Sequence, residues 1–338
     1  MTFRLSVLDQ SNAVTGRSPD ESIRETLQLA KLCEQLGYDR YWVSEHHNHP
    51  AIVGSAPEIL VAAIAATTQR IRVGPAGVML PHYSALKVAE QFRVLEAIAP
   101  GRIDLGLGRA PGSDMRTAYA LNPSADTAAD QFPAQLRDVM AWVGGEELPE
   151  GHPFRGVVAH PTGPGVPEIW VLGSSDYGAQ VAAYFGLPYC FAYFFTDGRG
   201  AERALQLYRQ QYRPSAHWPS PHSAICVWAL AAASEAEAQH HFTARAVWRI
   251  KRDRGMLTAL PTPEEATAFP LTEAETARLA EMRRTSLVGT SDRVGTMMRD
   301  LARAMAVKEV AVVTWTHDAE VRRHSYALLA KEFGLQPA

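Results

Sequence analysis

The sequence predicts a (β/α)8 barrel, in which eight parallel strands close into a cylinder surrounded by helices. Three observations support this prediction. Short apolar segments rich in strand-forming residues alternate with helical segments, eight times in all, along the 338 residues. Most connections between them are short, as is typical of parallel βαβ units. Eight such units favour the closed barrel over its competitor, an open doubly wound sheet, and we expect residues 1–338 to form one domain.

The first four strands and their helices are bounded by Gly, Pro and capping Ser residues. Phe3, Leu5 and Val7 alternate with polar residues, which predicts a strand. The following strands are expected at 41–43, 71–79 and 102–107. One helix begins after Ser18 and ends at Gly37, a second covers 57–68, and a third begins after Ser84 and ends at Pro100.

The second half of the chain continues this alternation. Strands are expected at 168–172, 189–193, 224–231 and 308–314. Helices are expected at 176–186, 199–212 and 318–333, and a long helical stretch at 234–305 has breaks near 255–270 and 286–290. Two insertions follow strands 4 and 7, near 110–166, where one helix is expected at 126–142, and near 250–290. Insertions after barrel strands commonly build or cover the active site.

The composition excludes several classes of protein. Lys+Arg 33 against Asp+Glu 36 gives a net charge of −3, without the basic excess of a nucleic-acid-binding protein. Cys33, Cys190 and Cys226 form no CxxC pair, which argues against a disulfide scaffold and a thiolate zinc site. The N-terminus lacks the apolar core of a secretory signal, and apolar runs such as 224–233 are too short to span a bilayer. We therefore expect a soluble, cytoplasmic protein that binds neither nucleic acid nor membrane.

The first candidate site is the segment SEHHNH at 44–49, directly after the second strand. Catalytic side chains of barrels lie at the carboxyl ends of the strands. A metal site is one interpretation, but no HxxxH spacing is present, and further ligands such as His82 or His317 would have to converge on it. A solvated polar loop is another interpretation. We favour a functional histidine that binds no metal.

Two further motifs predict a phosphate site. In GLGRAPG at 106–112, Pro111 interrupts the helix start that a dinucleotide fingerprint needs. Arg109 can donate two hydrogen bonds to a phosphate, unless it lies on a surface loop. In WVLGSSDYG at 170–178, a strand runs through a Gly-Ser-Ser turn into a helix, whose free N–H groups can bind an anion. An ordinary helix cap is the alternative there. The two motifs together favour phosphate binding.

The end of the third strand, GPAGVMLPHY at 74–83, is rich in small residues. These residues either let a ligand approach the backbone closely or form a tight corner of the barrel. His82 and Tyr83 follow on the loop and are candidates for the substrate side. Aromatic residues also crowd the end of strand six, where they pack in the core or line an apolar cavity: Phe191, Tyr193, Phe194 and Phe195.

Together these segments resemble the bacterial luciferase-like monooxygenases, a flavin-dependent (β/α)8 family. The similarity covers nearly the whole chain. It is most specific in Glu45-His46-His47, AGVMLPHYSALKVAEQ at 76–91, GRIDLG at 101–106 and the turn at 173–175, which follow the order and spacing of the family.

The resemblance implies that reduced FMN lies across the mouth of the barrel. Family members carry a non-prolyl cis peptide beneath the flavin ring where Ala76-Gly77 stands here. The luciferase alpha subunit has a reactive cysteine at the position of Gly108 and an acidic residue at that of Ser174, so light emission is not expected. The cofactor-binding residues implied are Ala76, Gly77, Gly108, Arg109, Gly173, Ser174, Ser175 and Gly178.

The activity implied is that of a monooxygenase that uses reduced FMN and O2 to oxygenate a small, apolar organic substrate. His46 matches the active-site histidine and is expected to be a general acid–base with a pKa suited to neutral pH. Glu45 would be a second catalytic residue that orients His46, or it would bind a backbone N–H group. Phe194 joins His82 and Tyr83 on the substrate side, and 250–290 would form a mobile lid.

Partners and alternatives follow from the same resemblance. No second nucleotide-binding unit is visible, so a separate flavin reductase would supply reduced FMN, and a homodimer is expected. A deazaflavin-dependent oxidoreductase that transfers hydride is the nearest alternative. A non-catalytic flavin-binding protein and a metal-dependent hydrolase barrel with three or four converging ligands are the others.

Overall fold

The computed structural model describes residues 4–337, except for the side chain of Asp126, so Phe3 of the first predicted strand lies outside the described residues. The strands are β1 (Arg4–Asp9), β2 (Arg40–Val43), β3 (Arg72–Pro75), β4 (Val78–Met79), β5 (Asp104–Gly108), β6 (Glu168–Gly173), β7 (Tyr189–Phe191), β8 (Ser223–Ala232), β9 (Leu287–Thr290) and β10 (Glu309–Val313). The helices are α1 (Pro19–Gln35), α2 (Pro57–Thr67), α3 (Ala85–Ile98), α4 (Met115–Leu121), α5 (Ala125–Ala128), α6 (Phe132–Gly144), α7 (Asp176–Phe185), α8 (Tyr193–Thr196), α9 (Ala201–Gln211), α10 (Glu235–Asp253), α11 (Pro263–Ala268), α12 (Glu273–Thr285), α13 (Ser291–Ala304) and α14 (Ala319–Glu332). Short 3-10 turns cover Leu80–His82 and Ala129–Gln131.

The strands form a parallel barrel, which confirms the predicted fold. Nine of them follow one another in the hydrogen-bonded order β3-β2-β1-β10-β8-β7-β6-β5-β4. A parallel bridge between Val73 of β3 and Ile103, just before β5, joins the two ends of this sheet. Because β3 and β4 share the third strand position, eight positions surround the barrel axis.

Side chains alternate between the two faces of the sheet, as the pleat of a strand requires. On β8, Ile225 and Val227 pack in the apolar layer between the strands and the helices. Cys226 and Trp228 pack in a second cluster inside the barrel, together with Trp42 of β2. The barrel is therefore a filled core whose upper layer borders the mouth.

Capping residues fix the helix starts where the sequence places them. The N–H of Asp20 donates to Ser18 Oγ at 3.2 Å, and Pro19 is the first residue of α1. The N–H of Lys87 donates to Ser84 Oγ at 3.4 Å at the start of α3. Each cap satisfies an N–H group that has no partner within its helix.

Two predicted strands are shorter in the structure. The strand expected at 71–79 is interrupted between β3 and β4, and its Ala76-Gly77 peptide bond is cis, as the resemblance implies. The strand expected at 189–193 ends at Phe191, because the next residues turn into the short helix α8. Both interruptions lie at the carboxyl ends of strands, on the side of the barrel that carries the predicted motifs.

Both insertions lie where they are predicted, but they contain more structure than expected. The first holds α4, α5 and α6 instead of one helix at 126–142. In the second, α11 lies inside the break predicted near 255–270, and the break predicted near 286–290 is the strand β9. β9 pairs with the upper half of β8, from Ala229 opposite Leu287 to Ala232 opposite Thr290. This pairing satisfies backbone groups of β8 that extend beyond its pairing with β7 and β10.

The second insertion is joined to the loop that follows β1. Val14 and Leu260 form a parallel bridge, and Thr15 Oγ1 donates to Glu265 Oε2 at 2.9 Å. The Trp248 indole of α10 donates to the Thr258 carbonyl at 2.8 Å. The insertion therefore borders the carboxyl end of the barrel, and its mobility as a lid stays a prediction.

A buried ionic network occupies the opposite, N-terminal end of the barrel. Arg40 Nη1 lies 2.8 Å from Asp104 Oδ1, and Arg40 Nε lies 2.9 Å from Glu309 Oε1. Glu168 Oε1 also contacts Arg40, and His222 Nε2 lies 3.1 Å from Glu309 Oε2. Burial alone would raise the pKa of Glu309, but the hydrogen bond from His222 and the charge of Arg40 lower it to about 2. This network therefore holds the ionised carboxylate of Glu309 inside the barrel.

Candidate active site

The barrel brings the four predicted motifs together at one side of its mouth. They follow β2, β4, β5 and β6, which are neighbours around the barrel. The His47 N–H donates to the Gly112 carbonyl at 3.1 Å, which ties the loop after β2 to the loop after β5. The candidate residues therefore lie on adjacent loops at the carboxyl ends of the strands, where barrel active sites are found.

Glu45 is fully buried at the centre of this group. Its Oε1 atom lies 2.7 Å from His47 Nε2 and accepts the Tyr83 hydroxyl at 2.7 Å. Its Oε2 atom accepts the N–H of Met79 at 2.9 Å, so the expected bond to a backbone N–H group is present. The expected contact with His46 is wrong: the histidine that Glu45 contacts is His47. Glu45 fixes the loops after β2 and β4 relative to each other.

His46 is half-buried, and its backbone N–H donates to the Gly54 carbonyl at 2.9 Å. Its Nδ1 atom is buried and has no hydrogen-bond partner within residues 4–337. Burial, and then the neighbouring His49 and His47, lower the pKa of His46 to about 4. The expectation of a pKa suited to neutral pH is therefore wrong, because the charged imidazolium is disfavoured in this site. At pH 7 His46 is neutral and can accept a proton or share a hydrogen bond.

His82 and Tyr83 lie beside Glu45 with fixed proton positions. His82 Nε2 is 2.6 Å from the Pro111 carbonyl. Because a carbonyl only accepts, Nε2 carries a proton, and the buried Nδ1 of His82 has no partner among the described residues. Burial and the adjacent Glu45 charge raise the pKa of Tyr83 far above its usual value, so its hydroxyl stays protonated. His82 therefore keeps one unused acceptor atom, Nδ1, whereas the Tyr83 hydroxyl already donates to Glu45.

The glycines of the third and fourth strands allow close backbone packing. A Cβ on Gly77 would lie 2.7 Å from the Gly106 carbonyl oxygen and 2.8 Å from Leu172 Cδ1. This contact explains Gly77 as a tight corner of the barrel, the second of the two sequence interpretations. Gly108 differs, because a Cβ there would approach only Met79 Sδ at 3.4 Å and Val78 O at 3.9 Å. Ala76 is half-buried and packs against the inner cluster that borders the mouth.

Arg109 and the Gly-Ser-Ser turn meet at the start of α7. The Arg109 guanidinium lies 4.1 Å from the centre of the Tyr177 ring, in the first turn of that helix. Ser175 is the N-cap residue, but its side chain makes no capping hydrogen bond. The start of α7 packs on the end of β6, since a Cβ on Gly178 would lie in ordinary van der Waals contact with Gly173 Cα, at 3.5 Å. A cation, uncapped N–H groups and the Ser174 and Ser175 hydroxyls thus surround one helix N-terminus, which is the donor set that a phosphate needs.

Phe194 supplies apolar surface at the mouth. It lies on α8 directly after β7 and packs against the inner cluster, whereas its neighbour Phe195 is exposed. The aromatic run therefore divides between the barrel interior and the surface, and only its inward member belongs with the candidate site.

One face of α10 also borders the site, and no sequence prediction included it. Arg245, Trp248, Arg249 and Arg252 follow helical spacing, and Trp248 lies 6.3 Å from the His49 ring, centre to centre. Their spacing was visible in the long helical stretch, but a charged helix face is solvated in most proteins. Sequence alone could not show that this face turns inward.

The described residues hold no cluster of three His, Cys, Asp or Glu side chains that could bind a metal ion. Of the additional metal ligands considered, His82 contacts Pro111, and His317 Nε2 lies 2.9 Å from the Thr15 carbonyl. Between residues 4 and 337, no helix combines the length and the apolar character needed to cross a membrane.

Comparisons with known proteins agree with this geometry. The sequence profile of the family described as luciferase-like monooxygenase matches residues 1–308. A luciferase-like monooxygenase of Escherichia coli (strain K12) is 37% identical over 97% of this chain and 96% of its own length. An N-acetyl-S-alkylcysteine monooxygenase of Bacillus subtilis (strain 168) is 34% identical over 97% of both chains. The crystal structure of apo-MsnO8 is 37% identical and superimposes with a TM-score of 0.91 over 99% of this chain and 100% of that one. The chain therefore belongs to the luciferase-like monooxygenases, a family of oxidoreductases.

Proposed function

We propose that this protein is an FMN-dependent monooxygenase that uses reduced FMN and O2 to oxygenate a small, apolar organic substrate. One observation carries the choice of cofactor: Arg109, stacked on Tyr177, meets the uncapped start of α7 on the same side of the mouth as His46. Among the carboxylates that the structure describes, none forms an ion pair with Arg109. A phosphate there would receive a positive charge and several N–H and O–H donors.

The residues present fit a flavin mononucleotide. Arg109, Ser174 and Ser175 would hold the phosphate, and Gly173 and Gly178 would border it without side chains of their own. Ala76, Gly77 and Gly108 would border the flavin ring. Gly108 has the most room for it, since a Cβ there would approach only Met79 Sδ at 3.4 Å and Val78 O at 3.9 Å. Bound reduced FMN would supply the electrons that activate O2.

His46 would hold or accept a proton next to the reacting atoms, since its Nδ1 atom is unpartnered and the ring is neutral at pH 7. Glu45 is a positioning residue that fixes Tyr83 and the backbone of Met79. His82, Tyr83 and Phe194 would contact the substrate, and the insertion at 250–290 would exclude water. A thioether is one candidate substrate, because one relative is named for N-acetyl-S-alkylcysteines.

The partners follow from this proposal. A separate flavin reductase would deliver reduced FMN, the active form would be a homodimer, and the protein would work in the cytoplasm. The reductase is testable directly, since this chain mixed with FMN and NADH or NADPH should not oxidise the nicotinamide.

An anaerobic titration tests the cofactor. We expect purified protein to bind photoreduced FMN, followed by absorbance and fluorescence, and to bind the phosphate-free riboflavin more weakly. On addition of O2, a substrate should be oxygenated in proportion to the reduced FMN supplied. Binding of reduced deazaflavin but not FMN would favour the hydride-transferring alternative, and binding of FMN without turnover of any substrate would favour a flavin-binding protein.

Replacing Arg109 with alanine should weaken FMN binding by about 1.5–3 kcal/mol, the usual scale for hydrogen bonds to charged groups. Riboflavin affinity should change little, because riboflavin has no phosphate. Arg213→Ala is the matched control, since Arg213 also lies over a tyrosine ring, Tyr184, at 4.2 Å. An unchanged FMN dissociation constant in Arg109→Ala would place the phosphate elsewhere.

A further inference from the structure

A buried arginine without an ion-pair partner lies at the mouth of the barrel. Arg245 of α10 is only 7% exposed, and its guanidinium lies 4.3 Å from the centre of the Trp228 ring. None of the carboxylates described in the structure forms an ion pair with it. A buried charge is costly unless it is paired, so this arrangement needs an explanation beyond packing.

Trp228 places this arginine at the substrate end of the barrel. Its register partner is Val313, the last residue of β10, and it lies three residues beyond Ile225, which pairs with Phe191 at the end of β7. The indole belongs to the inner cluster, as does Phe194. Its Nε1–H is buried and unpartnered among the described residues. A second unused donor thus lies beside the unpaired guanidinium.

The surrounding charges leave a positive excess. Arg249 Nη1 lies 2.8 Å from Asp197 Oδ1, and a second bond joins the same two side chains, so Asp197 is already paired. Burial and then the Arg249 charge lower the pKa of Arg245, while Asp197 opposes this shift. Arg252 of the same helix also lowers the pKa of Arg245, but its own guanidinium is paired with Asp253 at 2.8 Å. Of the three arginines, Arg245 alone has no carboxylate partner among the described side chains, so an anion there would meet one uncompensated positive charge.

We propose that Arg245 binds the carboxylate of an anionic organic substrate, with Trp228 and Phe194 packing on its apolar part. The inference rests on the proposed function and replaces the apolar substrate named there by one that joins a carboxylate to an apolar body. A guanidinium fork matches the two oxygens of a carboxylate, and Trp228 Nε1 is a further donor for a polar group of the substrate. The flavin phosphate is the other possible oxyanion, but Arg109 and the start of α7 already offer it a complete donor set.

Binding to the apo protein tests this assignment without any turnover. The probes are a series of N-acetyl-S-alkylcysteines and unbranched alkanoic acids, each compared with its own methyl ester, and the readouts are tryptophan fluorescence and calorimetry. We expect the acids to bind at least about tenfold more tightly than their esters. Arg245→Met should abolish this preference, Arg245→Lys should keep part of it, and Arg213→Met should keep all of it. Absence of an acid preference across the series, or its survival in Arg245→Met, would overturn the proposal.

A second arm separates the substrate from the cofactor. FMN dissociation constants of the same variants should match that of the unchanged protein. If Arg245→Met weakens FMN binding by tenfold or more and leaves the acid preference intact, Arg245 serves the flavin phosphate and the substrate assignment is wrong. Because acid binding is measured without flavin, a protein that binds acids but no FMN would contradict the proposed function and leave the role of Arg245 standing. Circular dichroism spectra and melting temperatures of the variants verify that they are folded.

Discussion

Replacing His46 with alanine is expected to lower kcat/KM for the oxygenated substrate by about 10²–10⁴-fold, the range for loss of a general acid–base. The FMN affinity of this variant should stay within about twofold of that of the unchanged protein, because the variant keeps every residue that donates a hydrogen bond to the phosphate. His46 is suited to this role by position, since it directly follows β2 at the mouth and its half-buried ring has a buried Nδ1 atom without a partner among the described residues. Single-turnover oxidation of prebound reduced FMN, with product quantified, separates the chemical step from flavin binding.

The pH dependence makes this prediction sharper. Because the pKa of His46 is lowered to about 4, the neutral ring prevails from pH 5 upward. If neutral His46 is the base, its titration should not lower kcat/KM between pH 7.5 and pH 5.5. The fall in kcat/KM that His46 causes should begin only as the pH approaches 4. His46→Ala should lose that acid limb. His217→Ala, at an exposed histidine on the loop before β8, is the control. Equal turnover in His46→Ala would contradict the role of His46 as the base. A fall in kcat/KM near pH 6.5 that is absent from His46→Ala would contradict its lowered pKa.

The fold was largely predictable because the barrel strands are buried on both faces. Strands such as 102–107 and 224–231 therefore appear as apolar runs between amphipathic helices. The missed elements depend on contacts between distant residues. β9 is a strand only because the upper part of β8 has free backbone groups, and the third strand breaks at Ala76-Gly77, where its neighbour Gly106 lies against it.

The candidate site was predictable in its parts but not in its contacts. Arg109 and the turn at 173–175 each suggested an anion site, and the Tyr177 ring joins them. The partner of Glu45 was not predictable, because adjacent histidines leave the chain in different directions and only the loop conformation selects His47. The role of Arg245 was equally unpredictable, because it depends on one face of α10 being turned toward the barrel mouth.

The largest expected loss of stability is at Arg40, at the closed end of the barrel. Arg40→Met should lower the free energy of unfolding by about 3–5 kcal/mol, the scale for removing one partner of a buried ion pair. The reason is that Asp104 and Glu309 are both fully buried and each accepts a hydrogen bond from this guanidinium. Urea denaturation at pH 7 measures the change. Arg284→Met is the control, because the Arg284–Glu281 pair is exposed, and it should shift the value by no more than about 0.5 kcal/mol.

The same network predicts how this difference depends on pH. Arg40 and His222 hold the pKa of Glu309 at about 2, below the value of about 4.3 for an unfolded chain. A carboxylate with a lowered pKa stabilises the fold above its unfolded pKa, and this contribution is lost as the pH falls toward the folded value. The difference in free energy of unfolding between the unchanged protein and Arg40→Met should therefore be largest at pH 6 and should decrease between pH 5 and pH 3. A difference below about 1 kcal/mol at pH 7, or one that stays constant down to pH 3, would show that the charge of Arg40 does not stabilise the ionised form of Glu309.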